Sequence, residues 1–427
     1  MTMALDRRGF IGAGAVGAGL LGVPAWARKP TRGISSSWPA VQAYLDDNVA
    51  RKYVPGAGAA LARGTDQADF SVAGRINKAA DAPPVTPDSL WRAYSMTKPV
   101  TGITAMLLIE DGTLSLDQNI ADFIPGFASP RVLVRADAMA TRPAQAPVTV
   151  RTLLTHTAGL GYNIVTKGPL LQEYLKLGLT PGAVSRKVFP GFEPVAPTAP
   201  SLEEFANRLA TLPLIADPGT RWSYSCSLDL LGRVIEVASG MPFDAFMQKR
   251  LLDPLGMTST YWQVPESEKY RLTDNYFEAP FGAITVDPGA DSIYLDKPAF
   301  PFGGAGLVTS MRDYDRFLAM LMGLGALGRT RVMKRDTALI AMSNLVHPKT
   351  QMGSFVTGQG FGAGGRVTIK DDPQGSGIGS FGWGGAASTV AWVDPARGLR
   401  VSGWSQIMTQ ADQPFTTGFG KAVYNRA

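Results

Sequence analysis

Between Pro99 and Ile109 the chain carries a run with no polar face. Val100, Ile103, Met106, Leu107, Leu108 and Ile109 fall on every side of a helical wheel, and the polar side chains in the run are only Thr101 and Thr104. A helix apolar all round has no side to give to water, so it belongs at the centre of a molecule. Asp111-Gly112 supplies its stop signal. The other segments must therefore be layers around this rod. A chain of 427 residues that is 45% hydrophobic has enough apolar surface to do so.

The flanking patterns say what those layers are. Trp38 to Lys52 has the spaced apolar positions of an amphipathic helix. Gly56 to Gly74 reads as two short strands turning at Gly64-Thr65-Asp66. Helical patterns follow at Val150–Thr155, Leu202–Leu212 and Leu228–Ser239, the last stopped by Gly240. Gly161 to Pro200 shows no clear period and many breakers, as lids and binding loops do. A helix is expected over Asp313–Leu324, then a hairpin of Ala387–Val393 with Arg400–Gln406, then a helical pattern from Thr417. Strands at both ends of the chain predict one antiparallel sheet flanked by helices. Residues of about 113–290 form a large, mainly helical insertion. The fold class is α/β in the broad sense (α+β).

Bulk properties exclude several functions. The net charge of +6 is scattered, with no run of Lys or Arg to contact nucleic acid. The single cysteine, Cys226, rules out an intrachain disulfide. No His/Cys cluster has metal-ligand spacing, so neither a metal nor another cofactor is expected. With two histidines and no G-x-S-x-G elbow, a histidine-based α/β-hydrolase is hard to assemble. At the N-terminus, Asp6-Arg7-Arg8-Gly9-Phe10-Ile11 precedes an uncharged Gly/Ala/Leu-rich run ending in Ala25-Trp26-Ala27. This resembles a twin-arginine signal. Residues 1–27 are expected to be removed, leaving a periplasmic or secreted protein of 28–427 without stable membrane insertion.

The head of the central helix carries the chemistry. Ser95-Met96-Thr97-Lys98 puts a hydroxyl and an amine one helical turn apart, on one face. A serine hydroxyl is a poor nucleophile without a neighbouring base. A lysine can be that base if burial and nearby positive charge bring it down from its ordinary value of about 10.4. The N–H of Ser95, at a helix start, can face a developing oxyanion. Pro99 fits a helix that begins near Ser95, since a first turn tolerates proline. Tyr224, in Trp222-Ser223-Tyr224-Ser225-Cys226 just before a helix, can turn its phenol into a cleft. Gly382-Trp383-Gly384-Gly385-Ala386 precedes an apolar strand, and its small residues let a substrate approach the backbone and receive an N–H. Each motif is unremarkable alone, but the three occur in order along one chain.

Together they resemble the serine β-lactamase/penicillin-binding-protein family, in its class C-like branch, and there the carboxylesterases of lactamase fold (family VIII type). The resemblance spans nearly all of the chain after the signal. It includes Arg92–Lys98, Leu153-Leu154-Thr155-His156-Thr157-Ala158-Gly159-Leu160, the Tyr224 segment, Pro254-Leu255-Gly256-Met257 and Gly303-Gly304-Ala305-Gly306-Leu307. It implies that Ser95 is acylated, that Lys98 and Tyr224 share the base role, and that the N–H groups of Ser95 and Ala386 form the oxyanion hole. Two departures bear on substrate. Cys226 stands where the lactamase Tyr-x-Asn pattern has an amide, and Trp383-Gly384-Gly385 stands where it has Lys-Thr-Gly. The second removes a cation suited to a carboxylate. Cys226, Trp383, Gly384 and Gly385 are thus expected to line a site for a neutral small-molecule ester. The alternatives are a β-lactamase or D-amino-acid peptidase, or a non-catalytic ligand-binding member of the fold. His156 is expected to be a hydrogen-bonded structural residue, and His347 to lie on a loop.

Overall fold

Pro39–Ala50 forms helix α1, and Gly56–Arg63 and Asp69–Gly74 form strands β1 and β2, joined through Gly64 at φ +48°. The structure, a computed structural model, describes residues 38–180, 196–280, 282–353, 356, 358–370, 372, 375–409 and 414–425. The expected signal at 1–27 lies outside the described residues. Five strands from the far end of the chain complete the sheet: β3 (Gln359–Phe361), β4 (Arg366–Thr368), β5 (Phe381–Gly385), β6 (Thr389–Asp394) and β7 (Leu399–Trp404). The order is β3-β4-β5-β6-β7-β1-β2, antiparallel throughout, with Ala60 opposite Ser402 where the two ends of the chain meet.

β1 shows why the sheet lies between layers. Its side chains alternate, as in any strand. Ala57, Ala59 and Leu61 join Val41, Leu45, Val401, Phe415 and Phe419 on one face, while Ala60 joins the main core on the other. α1 and a C-terminal helix over Pro414–Val423 cover the first face. A helix over Met311–Met322 covers the second.

The apolar run is helix α2, Thr97–Glu110, and every residue from Thr97 to Leu108 is buried. Fully burying each of its large aliphatic side chains contributes roughly 1.5–3 kcal/mol. Gly102 is required there, because a Cβ would overlap the carbonyl of Ala363. The inserted helices are α3 (Val150–Leu154), α4 (Gly168–Lys176), α5 (Leu202–Ala210) and α6 (Ser227–Ser239); α2 packs on α6, and α3 and α5 pack on α6 in turn. Local signals set their ends. Thr149 and Thr152 make a capping box for α3, the Ser201 hydroxyl accepts the N–H of Glu204 at the start of α5, and Gly240 stops α6 at φ +66°.

Three details differ from the sequence reading. Helix α4 lies inside the Gly161–Pro200 stretch; its nine residues are too short to establish a period between breakers. The insertion also holds two hairpins, Arg131–Leu133 with Thr141–Pro143 and Asn275–Ala279 with Gly282–Asp287. The Trp383 run does not precede a strand but is itself β5, and the turn is Ala386–Ser388, with Ser388 at φ +58°. Among the described residues no helix is long and apolar enough to cross a membrane.

Candidate active site

The chain is anchored hard just before Ser95. Arg92, fully buried, pairs with Asp287 at 2.5 Å and donates to the Thr273 carbonyl and the Ser292 hydroxyl. Tyr94 then adopts φ +44°, a left-handed conformation that costs a non-glycine residue roughly 1–3 kcal/mol. Its hydroxyl accepts a hydrogen bond from Asn275 Nδ2 at 2.8 Å. Tyr94–Met96 is a 3-10 turn leading into α2. Ser95 is thereby presented half-buried at the helix head while Lys98, one turn on, is fully buried. Pro99 is the third residue of α2, where an N–H has no intrahelical partner to lose.

Lys98 Nζ donates to Ser95 Oγ at 3.1 Å and to the carbonyl of Gly304 at 2.7 Å. Ser95 Oγ lies 2.6 Å from Tyr224 Oη. Lys98 Nζ sits 4.6 Å from the centre of the Tyr224 ring and 5.6 Å from that of Tyr162. Hydroxyl, amine and phenol are thus mutually in contact, and a proton leaving Ser95 has two acceptors within reach.

Tyr224 is held by both its backbone and its ring. The segment before α6 is strung between two others: Trp222 N–H donates to the Gln351 carbonyl, Ser223 N–H to that of His156, and Cys226 N–H to that of Gly161. The ring packs against His156 (centroids 5.0 Å apart), Tyr162 (5.5 Å), Trp383 (5.9 Å) and Trp222 (6.3 Å). His156 itself takes φ +56° and bonds Ser225 Oγ through Nδ1 at 2.9 Å. Burial, helped by the charge of Lys98, holds its imidazole well below the ordinary histidine range, so it is a neutral wall of the site at pH 7. His347 is an exposed loop residue, as expected.

β5 brings the second half of the site. Trp383 is buried beside Phe361 and Trp222 with its ring against Tyr224. A Cβ on Gly385 would overlap both the Ala93 carbonyl and Thr389 Oγ1, so only glycine lets β5 lie against the backbone two residues ahead of Ser95. Gly384 and the exposed Ala386 flank that contact. Cys226 needs a correction. It was expected to face substrate, yet it is buried in the central core at the start of α6, and burial pushes its thiol far up. It shapes the site from behind.

Beside Tyr224 and Trp222 opens a cleft of about 830 Å³, with Leu133, Val134, Val165 and Ile215 among its apolar walls. Among the described residues no group of three or more His, Cys, Asp or Glu side chains could hold a metal ion.

Asp229 escaped the sequence reading. It is fully buried in the first turn of α6, and its Oδ1 accepts the Gly304 N–H at 3.0 Å. Burial lifts its carboxyl to about 6 against the pull of Lys98. A signal was present: Asp229 sits among Leu228, Leu230 and Leu231, with Cys226 and Gly232 one turn away on its own face.

A serine at the head of a buried helix, sharing hydrogen bonds with a lysine and a tyrosine beside an antiparallel sheet, defines a serine hydrolase of β-lactamase fold. Residues 41–419 match the Beta-lactamase family, and the chain belongs to it. Esterase EstB of Burkholderia gladioli is 30% identical over 364 residues, 80% of this chain and 84% of that protein. ML-236A carboxylate methylbutanoyltransferase of Penicillium citrinum is 29% identical over 374 residues, 81% of this chain and 82% of that protein. Among solved structures, EstCE1, described as a hydrolase with promiscuous acyltransferase activity, superposes with a TM-score of 0.73 at 23% identity, covering 90% of this chain and 98% of its own.

Proposed function

We propose that the protein hydrolyses neutral carboxylic esters of short-to-medium acyl chain through an acyl-enzyme on Ser95. The observation that carries this reading is the 2.6 Å and 3.1 Å contacts of Ser95 Oγ with Tyr224 and Lys98. Ser95 Oγ attacks the ester carbonyl, and its proton passes to the Lys98–Tyr224 pair. The N–H groups of Ser95 and Ala386 stabilise the negative oxygen. The pair returns the proton to the leaving alcohol. Water then attacks the acyl-enzyme, giving up a proton to the same pair, and its breakdown returns that proton to Ser95 and releases the acid.

Two observations favour ester over lactam. Trp383 places an indole against Tyr224 where a lactam carboxylate would require a cation. The similar proteins also include an esterase. The test is a hydrolysis panel from p-nitrophenyl acetate to octanoate beside nitrocefin, with Ser95→Ala as control. Ester turnover that survives Ser95→Ala, or nitrocefin outpacing every ester, overturns the reading. The cleft beside Tyr224 supports a second outcome for the same acyl-enzyme: an apolar alcohol seated there in place of water would receive the acyl group. Adding such an alcohol to the panel and looking for the new ester tests it. We further propose export through the twin-arginine route with cleavage after Ala27.

A further inference from the structure

Next to the Lys98–Tyr224 pair lies a buried acid that the proposed mechanism does not use. Asp229 is the third residue of α6 (Ser227–Ser239), where an acid ordinarily complements the helix dipole from solvent. Here it is wholly buried, and burying an ionised carboxylate is costly unless an opposite charge compensates it. Oδ1 accepts the Gly304 N–H, and Oδ2 has no hydrogen-bond partner. The carbonyl of the same Gly304 accepts from Lys98 Nζ. A Cβ on Gly304 would lie 2.6 Å from Asp229 Oδ2, so the carboxylate and the glycine are in close contact. One residue therefore has Asp229 on its N–H and Lys98 on its carbonyl.

The other titratable groups around Asp229 are Tyr162, on the loop after α3, and Cys226, at the start of its own helix; both interact with it electrostatically. Burial pushes both far up, so both are neutral at pH 7. Lys98 is the basic group that acts on the carboxylate. The buried carboxylates Asp287 and Asp315 are instead paired directly with Arg92 and Arg400.

Resting on the proposed acyl-enzyme chemistry, we propose that Asp229 is a positioning residue that seats Lys98 through the Gly304 peptide and acts as the counter-charge to the Lys98–Tyr224 pair when that pair takes the proton of Ser95. Each proton the pair accepts adds one positive charge to a buried site, and a fixed carboxylate stabilises that charge. It thereby strengthens the pair as a base without touching substrate.

The test is the rate at which a fluorophosphonate probe labels Ser95 as a function of pH, in wild type and Asp229→Asn. Asn keeps the size and can still accept the Gly304 N–H. Loss of a nearby opposite charge moves a neighbouring pKa by about 1–3 units. The variant's acid limb is therefore expected to shift down by about 1–3 pH units. Its plateau rate above the limb should fall about tenfold or more, because the weaker base is a poorer acceptor. An acid limb that stays in place overturns the proposal even if the plateau falls, since a structural role would lower the rate without moving the limb. Should Asp229→Asn fail to fold, Asp229→Ser, smaller and uncharged, gives the same comparison. Absence of any Ser95 labelling in wild type would instead refute the acyl-enzyme reading, so the two failures are distinct.

Discussion

Tyr224→Phe isolates the phenol from everything that holds it. The ring is fixed by His156, Tyr162, Trp222 and Trp383 at centroid distances of 5.0–6.3 Å, and phenylalanine keeps all four contacts. What is lost is one hydroxyl 2.6 Å from Ser95 Oγ. A single hydrogen bond contributes about 0.5–1.5 kcal/mol to stability, so the variant should fold and melt only a few degrees lower. Removing a proton acceptor from the transition state costs far more, about 10²–10⁴ in rate, or roughly 3–5 kcal/mol. The assay is kcat and KM for p-nitrophenyl butyrate beside a thermal melt. The expected result is kcat down by that factor, KM nearly unchanged and a small loss in Tm. A variant within threefold of wild type in kcat would refute the base role of Tyr224 and leave the proton to Lys98 alone.

Gly385→Ala should force β5 away from Ala93, because its methyl overlaps two fixed atoms. We expect about 1–3 kcal/mol of destabilisation by urea titration and a fall in kcat larger than stability explains. Asp229 also predicts a pH-dependent stability. Its folded-state carboxyl, at about 6, lies above the unfolded value, so the native state binds more protons between about pH 4 and 6. This site's contribution should therefore fall by up to about 3 kcal/mol as pH rises through that window and stay flat above it. The difference in urea stability between wild type and Asp229→Asn, measured from pH 4 to 8, reads this out. Finally, N-terminal sequencing of exported protein should begin at Arg28, and Arg7→Lys with Arg8→Lys should abolish export.

What the sequence disclosed was mostly local. The α2 rod, its Asp111-Gly112 stop and the Gly240 terminus depend on neighbours a few residues away. Ser95 and Lys98 were legible for the same reason, being one turn apart on one helix. Tyr224 and Trp383 became legible only when read together with them, through the family likeness. The misses depend on distant chain. Cys226 looked like a substrate position until α6 turned it into the core. Asp229 acquires a meaning only when Gly304, 75 residues on, lies between it and Lys98. The Asn275–Asp287 hairpin gains a third strand from Ile407–Met408, which no local pattern announces.

The central claim is a covalent acyl group on Ser95. Quenching the enzyme with acid during turnover of p-nitrophenyl butyrate, then digesting it and weighing the peptides, tests this directly. A butyryl mass is expected on the peptide carrying Ser95, and none in Ser95→Ala. Burst release of p-nitrophenol with the adduct on another residue, or persisting in Ser95→Ala, would contradict it.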